Sequence, residues 1–411
     1  MSNVYHEHRY ANGLQLLVEP MSWCRSAAFT FLVPAGVSRE PATAPGCANL
    51  VASLLTRGAG SRDSRQLSND LDNLGIQRHE ATETIHTSFT AATLADNLEP
   101  CLTITRDIMR SPHLHADQLE LCKASTLQEL MAIEDDPGQK IFIELKRHSL
   151  PEPLGRPILG SAEGVQRMTP EMIVDFHRRC FRPNGAILGV AGNVDFERIR
   201  DIIGELFDDW KPIDEPPFSV AQRHGSRQHV PAEKLQTHIG LAFDSVSYSD
   251  ADFYNAHGAV GVLSGGMSSR LWTEVREKRG LCYSVGASYH PLKDRGIILV
   301  YASSSSDRAN ETLEVIFAEL ERLLLGISDD EVHRLQAGLK SSLIMQEEST
   351  SARASVLARS WYHLGRVRPF DEIAREIEAM TPESILGYLE RHPPGNFNIL
   401  TLGPTPLEAS A

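Results

Sequence analysis

Alternating apolar and polar positions predict strands in two parts of the chain, and apolar residues at helical spacing predict helices around them. In the first half, the order is a strand at about 27–34, helices at about 46–56 and 64–74, a strand at about 83–92 and a helix at about 97–110. The second half repeats this order with strand Thr237–Phe243, helices at about 251–264 and 268–278, a strand pair at about 282–304 and helix Ala309–Leu325. The repetition predicts two duplicated domains.

A polar segment marked by prolines separates the two halves. Pro212, Pro216, Pro217 and Pro231 fall in a stretch with little apolar periodicity, as is typical of a linker. We therefore predict one domain over 1–212, a linker over 213–231 and a second domain over 232–411. Mostly antiparallel strands covered by helices predict an α+β fold in each domain.

Composition and net charge argue against several classes of protein. A chain of 411 residues with a net charge of −14 argues against a nucleic-acid or anionic-membrane partner. The N-terminus has no basic region followed by an apolar run, and no segment reaches the roughly 18 apolar residues of a membrane span. Six cysteines without Cys-x-x-Cys spacing favour reduced thiols, and so a cytoplasmic protein.

Several blocks resemble one family of enzymes in order and spacing. These blocks are residues 27–40, 134–137, 154–160, 181–184 and 190–194. They are similar to the insulinase/pitrilysin family of inverted zinc peptidases, in particular its bacterial branch and the mitochondrial processing peptidase. The resemblance covers nearly the whole chain, and it implies a fold like one half of a processing-peptidase clamshell.

The segment 46–54 lies where that family carries His-x-x-Glu-His, whose two His bind zinc and whose Glu activates water. The three positions here read Asn49, Ala52 and Ser53, and Glu129 fits the position of the family's third ligand, a Glu on a later helix. An amide, a methyl group and a hydroxyl beside one carboxylate make a poor zinc site. The sequence therefore predicts a degenerate motif with no metal or cofactor in this chain.

The second half carries the remaining chemistry of the family. The block 263–285 is similar to the family segment with an Arg and a Tyr seven residues apart, and Arg276 and Tyr283 match that pair. The resemblance implies that Arg276 binds a substrate carbonyl and that Tyr283 donates a hydrogen bond to the oxyanion. Gly265 and Gly266 in the same block are expected to contact substrate. Spacing alone would instead favour a solvated Arg at a helix end and a core Tyr on a strand.

The stretch from Thr82 to Thr90 resembles the family's edge strand on the substrate side, which could pair with an extended peptide. Thr84 and His86 are the candidate peptide-binding residues on it. The equally favoured alternative is an internal strand with polar alternation.

A chain with the Arg/Tyr half but without the zinc half resembles the non-zinc subunit of a two-chain peptidase. We therefore expect a homologous partner with His-x-x-Glu-His that supplies zinc, and a peptide substrate. The alternative is an inactive homodimer that binds peptide or serves as a scaffold. A separate metal site at His6 and His8, or at His113 and His115, is disfavoured because no third ligand lies nearby in sequence.

Overall fold

The computed structural model describes residues 5–214, 226–232 and 236–408, which divide into two compact units. The first unit takes the described residues up to Ala132, those from Glu152 to 214, and Met345–Val367. The second takes Ile133–Pro151, the described residues from 226 to Ile344, and those from Arg368 onward. Most of the predicted linker, 215–225, lies outside the described residues.

The first unit is built on a six-stranded sheet in the order β1-β2-β8-β3-β7-β6. Its neighbours are antiparallel except for β2 and β8, which run parallel. The strands are β1 (His6–Arg9), β2 (Gln15–Pro20), β3 (Ser26–Val33), β6 (Gln77–Thr82), β7 (Thr87–Leu94) and β8 (Ile187–Gly192), and a short separate pair is formed by β4 (Gly58–Ala59) and β5 (Arg62–Asp63).

Helices cover both faces of this sheet. One face carries a large apolar core that includes Leu50 and Leu54 of the first helix and Phe29 and Phe31 of β3. The helices in the first half of the sequence are α1 (Cys47–Leu55), α2 (Ser64–Asn73), α3 (Leu98–Arg110), α4 (Ala116–Asp135), α5 (Pro137–Ser149), α6 (Ala162–Arg167), α7 (Pro170–Cys180) and α8 (Phe196–Phe207), of which α5 belongs to the second unit.

The second unit is built on a five-stranded sheet in the order β11-β12-β10-β13-β9, with only β13 and β9 parallel. Its strands are β9 (Arg227–Pro231), β10 (Gln236–Ser245), β11 (Cys282–Pro291), β12 (Gly296–Ser305) and β13 (Asn398–Gly403). Its helical segments are α9 (Phe253–Ser264), a π-helical turn (Trp272–Glu277), α10 (Ala309–Leu325), α11 (Asp329–Glu347), α13 (Phe370–Glu378) and α14 (Pro382–Arg391), while α12 (Thr350–Leu364) belongs to the first unit.

The two sheets repeat one topology. Reading β2-β8-β3-β7-β6 beside β9-β13-β10-β12-β11 gives the same sequence of one parallel and three antiparallel pairings. The predicted α+β class, with two duplicated and mostly antiparallel sheet-plus-helix halves, is therefore confirmed.

Each unit also receives one helix from the opposite half of the sequence. Helix α5 packs on β10 and β13 of the second sheet, where Ile141 and Leu145 lie against Gly240. Helix α12 packs on β3 and β8 of the first sheet through Ala354, Leu357 and Ala358. The compact units are thus discontinuous in sequence, which the division at 212 and 232 did not anticipate.

Close approach and a buried ion pair hold α12 in place. A Cβ at Gly189 of β8 would lie 2.4 Å from the carbonyl oxygen of Ala354, so only glycine fits there. Arg353 donates to both carboxylate oxygens of Glu19 at 2.6–3.1 Å, and each side chain is only 4% exposed. Removing one partner of such a pair would leave a buried charge uncompensated.

The stretch Thr82–Thr90, for which an edge strand and an internal strand were equally favoured, is not a single strand: it contains the last residue of β6, a turn and the start of β7. Strand β7 pairs with β3 on one side and with β6 on the other, so it is internal, and β6 forms the edge. The local pattern could not place these residues, because strand order in a sheet is set by pairing between segments that are distant in sequence. None of the helices in the described ranges has the length and apolar character needed to cross a bilayer.

Candidate functional site

Helix α1 brings the three positions of the degenerate motif to one face. Asn49, Ala52 and Ser53 are all half-buried there, because residues three and four apart share a helix face. The Asn49 amide donates to the Thr126 hydroxyl at 3.5 Å, and the Ser53 hydroxyl donates to the Asn49 carbonyl oxygen at 3.0 Å. This face therefore presents one amide, one methyl group and hydroxyls.

Glu129 does not reach this face through any hydrogen bond that the structure records. Its side chain is exposed and accepts from the Ser125 hydroxyl at 3.4 Å. Thr126, one turn earlier on α4, contacts Asn49 instead. Sequence reasoning missed Thr126, although its spacing from Glu129 on one helix face would have been a usable signal.

The donor set at α1 does not fit zinc. Structural and catalytic zinc sites in proteins use imidazole, thiolate or carboxylate ligands, and Asn49, Ala52 and Ser53 supply none of these. Within residues 5–214, 226–232 and 236–408, no group of three His, Cys, Asp or Glu side chains is placed to hold a metal ion. His113, one of the other candidates, has its Nε2 2.8 Å from the Gly60 carbonyl oxygen.

A buried carboxylate fixes the start of α1. Glu40 is 5% exposed and accepts hydrogen bonds from the backbone N–H groups of Gly46 and Ala48 at 2.8–3.2 Å. Burial raises the pKa of Glu40 to about 7, although these two N–H groups and Arg156 oppose the shift. The N-terminus of the motif helix is therefore held by a group that titrates near neutral pH.

Thr84 and His86 lie in the turn between β6 and β7. The Thr84 carbonyl oxygen accepts from the backbone N–H of Ser38 at 2.9 Å, and the His86 side chain is buried edge-on against Tyr362 at 4.5 Å between ring centroids. Glu83 beside them accepts from Arg359 of α12 at 2.5 and 3.0 Å. These contacts tie the turn to α12, and a peptide-binding role for Thr84 and His86 stays a prediction.

Arg276 lies in the π-helical turn Trp272–Glu277, an uncommon element that often occurs at functional sites. Its guanidinium carbon stands 4.0 Å from the centroid of the Trp272 ring and 5.2 Å from that of Tyr283. Stacking on an aromatic face holds a guanidinium without consuming its N–H donors. Arg276 is therefore oriented by two rings and keeps donors for a ligand.

Tyr283 is the extra residue of a β-bulge on the edge strand β11. Cys282 pairs with Ser304 and Ser284 pairs with Ser303, so Tyr283 has no partner on β12. Bulges at sheet edges redirect a side chain, and the Tyr283 side chain is 77% exposed. The structure thus brings Arg276 and Tyr283 together at the free edge of the second sheet.

A buried acid anchors the π-helical turn. The Glu274 carboxylate accepts from Lys278 and from Arg279, each at 2.7 Å, and Arg322 of α10 lies 3.5 Å away. The hydrogen bonds from Lys278 and Arg279 lower the pKa of Glu274 to about 2. Glu274 is therefore ionised near neutral pH and ties the turn that carries Arg276 to α10.

Gly265 and Gly266 follow α9 in an exposed loop. A Cβ at Gly265 would lie 2.4 Å from the Gly261 carbonyl oxygen, and Gly266 has φ +153°. Both positions favour glycine on backbone grounds alone. The neighbouring Met267 is 73% exposed, and the substrate-binding role of the two glycines stays a prediction.

Two family models match the chain and establish its family. The model described as "Insulinase (Peptidase family M16)" matches residues 16–162, and "Peptidase M16 inactive domain" matches residues 167–339. The chain is therefore an insulinase-like member of peptidase family M16, as the sequence blocks predicted. Its Arg276 and Tyr283 fall in the part that matches the inactive-domain model.

Curated relatives align over almost their full length. An "uncharacterized zinc protease" of Rickettsia felis is 25% identical over 388 residues, covering 94% of this chain and 94% of that protein. A protein with the same description from Mycobacterium tuberculosis H37Rv is 28% identical over 402 residues, covering 95% and 91%. The alignments thus span nearly the whole length of this chain and of both relatives.

Solved structures share the fold. The "peptidase M16 inactive domain" from Pseudomonas fluorescens superposes with a TM-score of 0.90 at 20% identity, covering 99% of this chain and 100% of that one. A protease from Helicobacter pylori superposes with a TM-score of 0.91 at 18% identity, covering 98% and 100%. The arrangement of sheets and helices is therefore that of known M16 proteins.

Proposed function

We propose that this chain is the non-zinc subunit of a two-chain zinc metallopeptidase. In this role it binds peptide and supplies Arg276 and Tyr283 to a reaction whose zinc and general base come from a homologous partner with His-x-x-Glu-His. In this proposal the partner, and not this chain, binds the metal. The absence of Cys pairing, with all six cysteines free, supports a cytoplasmic location for the complex.

The observation that carries this proposal is the geometry of Arg276 and Tyr283. The Arg276 guanidinium contacts two aromatic rings, which a purely solvated helix-end Arg does not do, and Tyr283 stands 77% exposed on a bulge, which a core Tyr does not do. A fixed guanidinium beside an exposed phenol can bind a peptide carbonyl and donate to a developing oxyanion. These are the two contacts that a partner with only a metal and a base would lack.

The composition of the α1 face supports the proposal that zinc and the general base come from the partner. Its amide and hydroxyls can hydrogen-bond a peptide, but they cannot activate water in the way that a zinc-bound hydroxide does. Peptide hydrolysis by this protein would therefore require zinc and a general base from another chain.

The test is a reconstitution. Each His-x-x-Glu-His homologue from the same genome is mixed with this chain, and peptidase rate and zinc content are measured for each protein alone and for the mixture. We expect activity in one mixture only, with zinc bound to the partner. Tyr283→Phe should lower the rate of that mixture by about 100-fold or more, because a lost oxyanion donor costs about that much. Arg276→Ala should also lower the rate, because it removes the donors that bind the peptide carbonyl.

Arg375→Ala is the matched control, since Arg375 is an exposed arginine of the same unit, bonded only within α13 at 3.1 Å. It should leave the rate unchanged. A partner rate that does not change on addition of this chain, with any of the homologues, contradicts the proposal.

A second candidate is a catalytically inactive homodimer that binds peptide or acts as a scaffold. The free edge of β6 favours it, because an edge strand can pair with an extended peptide without any catalysis. The discriminating measurement is peptide binding by the chain alone, together with its mass in solution. Peptide binding by a dimer, without stimulation of any homologue, would favour this candidate.

A further inference from the structure

A lysine without a counterion lies on α5 in the second unit, away from the Arg276 site. Lys146 is half-buried, and burial lowers its pKa. In the described part of the chain it has no hydrogen-bonding or ion-pairing side-chain partner. The nearest carboxylate along the helix, Glu144, lies 3.5 Å from both Arg147 and His148.

Helical spacing explains why Lys146 has no local partner. The positions three and four residues away are Phe142, Ile143, Ser149 and Leu150, and none of them is acidic. Holding a cation in partly desolvated surroundings without an anion is unfavourable. An anionic ligand at this position would remove that cost.

Ser288 and His290 of β11 lie on the face of the second sheet that α5 covers, because they alternate with Ala287 and Tyr289, which pack into the core on the other face. Phe142, one turn before Lys146, packs on Tyr301 of β12 with 5.0 Å between ring centroids, so this side of α5 faces the outer strands. Burial lowers the pKa of His290 to about 4, with a smaller contribution from the positive charge of Lys146. His290 is therefore neutral near pH 7. It lies close enough to Lys146 for the lysine charge to affect its pKa.

His290 and Ser288 present one unused donor whichever way their hydrogen bond runs. The Ser288 hydroxyl lies 2.9 Å from His290 Nε2. If the hydroxyl donates, the ring carries its proton on Nδ1. If Nε2–H donates, the hydroxyl proton is left for another acceptor. The pair therefore adds a neutral donor to the charge of Lys146.

A second hydroxyl lies on the same side of α5. Ser149, three residues after Lys146, is 8% exposed, and its Oγ is buried with no hydrogen-bond partner in the described residues. A buried polar atom without a partner is unfavourable, so such an atom usually marks a place where a ligand or water binds.

We propose that Lys146, Ser149, Ser288 and His290 form a binding site for a carboxylate of a peptide. One ammonium group and neutral O–H or N–H donors match the charge and the acceptor oxygens of a carboxylate. The site is distinct from the Arg276 site, because His290 follows Tyr283 by seven residues on an extended strand, about 23 Å.

The carboxylate can come from the peptide C-terminus or from an acidic side chain, and the test separates these sources. Binding of an unstructured peptide with one internal Glu is measured by calorimetry on the full chain, up to millimolar concentration. The peptide is compared with its C-terminal amide and with its Glu→Gln form. We expect one of these changes to weaken binding by about tenfold, as for the loss of a charge-assisted hydrogen bond.

Lys146→Met should abolish that tenfold difference, Lys146→Arg should retain most of it, and Ser149→Ala should reduce it. Lys140→Met is the matched control on the same helix, because Lys140 is already paired with Glu134. Thermal unfolding of each variant reports whether it folds. Equal binding of all three peptides, no binding at all, or a carboxylate preference that survives in a folded Lys146→Met protein would overturn the proposal.

The proposal does not depend on the two-chain peptidase. Binding by this chain alone tests the carboxylate site, whereas stimulation of a partner tests the role of Arg276. A failure of one therefore leaves the other unaffected.

Discussion

At the scale of single residues, the surroundings of Arg276 decide what its guanidinium can do. The sequence matched Arg276 and Tyr283 to a family pair, but it assigned no role to Trp272. The structure places the Trp272 ring 4.0 Å from the guanidinium carbon, nearer than the Tyr283 ring at 5.2 Å. Trp272 is therefore the side chain that positions Arg276, and it leaves the Arg276 donors available.

Trp272→Leu tests this positioning. A cation–π contact at a partly exposed site contributes about 0.5–1 kcal/mol, so the rate of the reconstituted peptidase should fall about two- to fivefold. Trp272→Phe should restore most of the loss, since it keeps an aromatic face. In an Arg276→Ala background the Trp272→Leu change should have no further effect, and an equal loss there would assign Trp272 a purely structural role.

At the scale of elements, the motif helix depends on a carboxylate that lies before it in sequence. Glu40 accepts from two N–H groups at the N-terminus of α1, where helix geometry leaves donors unsatisfied. The two N–H groups favour the charged carboxylate, but burial outweighs them, and the pKa stands at about 7 against an ordinary 4.5. The stability of α1 should therefore respond to pH.

The direction of the pH effect on stability follows from proton binding by Glu40. Between pH 4.5 and about 7, folded Glu40 holds a proton that the unfolded chain releases, so the free energy of unfolding should fall as pH rises through this range. The loss should be about 3 kcal/mol. Denaturant unfolding of the wild type and of Glu40→Gln across this range measures it. The difference between the two proteins should change with pH, and a difference that stays constant would contradict the prediction.

At the scale of the whole molecule, each compact unit contains one helix from the other half of the sequence. Helix α5, from the first half of the sequence, completes the second sheet, and α12, from the second half, completes the first. The ion pair between Arg353 and Glu19 joins residues 334 positions apart in sequence. Neither half of the sequence therefore contains all of its own core.

Expression of residues 1–212 and 232–411 as separate fragments tests this dependence. Each fragment lacks the helix that covers one face of its sheet, and an uncovered apolar face promotes aggregation. We expect each fragment to be poorly folded alone and the two to assemble when co-expressed, as judged by circular dichroism and by co-purification. Two fragments that each unfold cooperatively on their own would contradict the discontinuous units.

Much of the fold could be predicted because it depends on local pattern. The strand at 27–34, the helix at 46–56 and helix Ala309–Leu325 lie within about one residue of β3, α1 and α10. The helix at 268–278 was less accurate, since the structure has a π-helical turn over Trp272–Glu277. Periodicity detects an apolar face, but it does not distinguish a π-turn from an α-helix over so short a segment.

The sequence by itself determined the family and the duplicated α+β order, because these depend on residue identity, spacing and periodicity, and the family resemblance matched Arg276 and Tyr283 to one pair. Only the tertiary structure decided that β6 rather than β7 forms the edge, that Thr126 contacts Asn49 and that Tyr283 stands on a bulge. It also decided that α5 packs on the second sheet and α12 on the first. The physical reason is that each of these results from contacts between distant segments, where backbone pairing and close packing select one arrangement among several that the same local pattern permits.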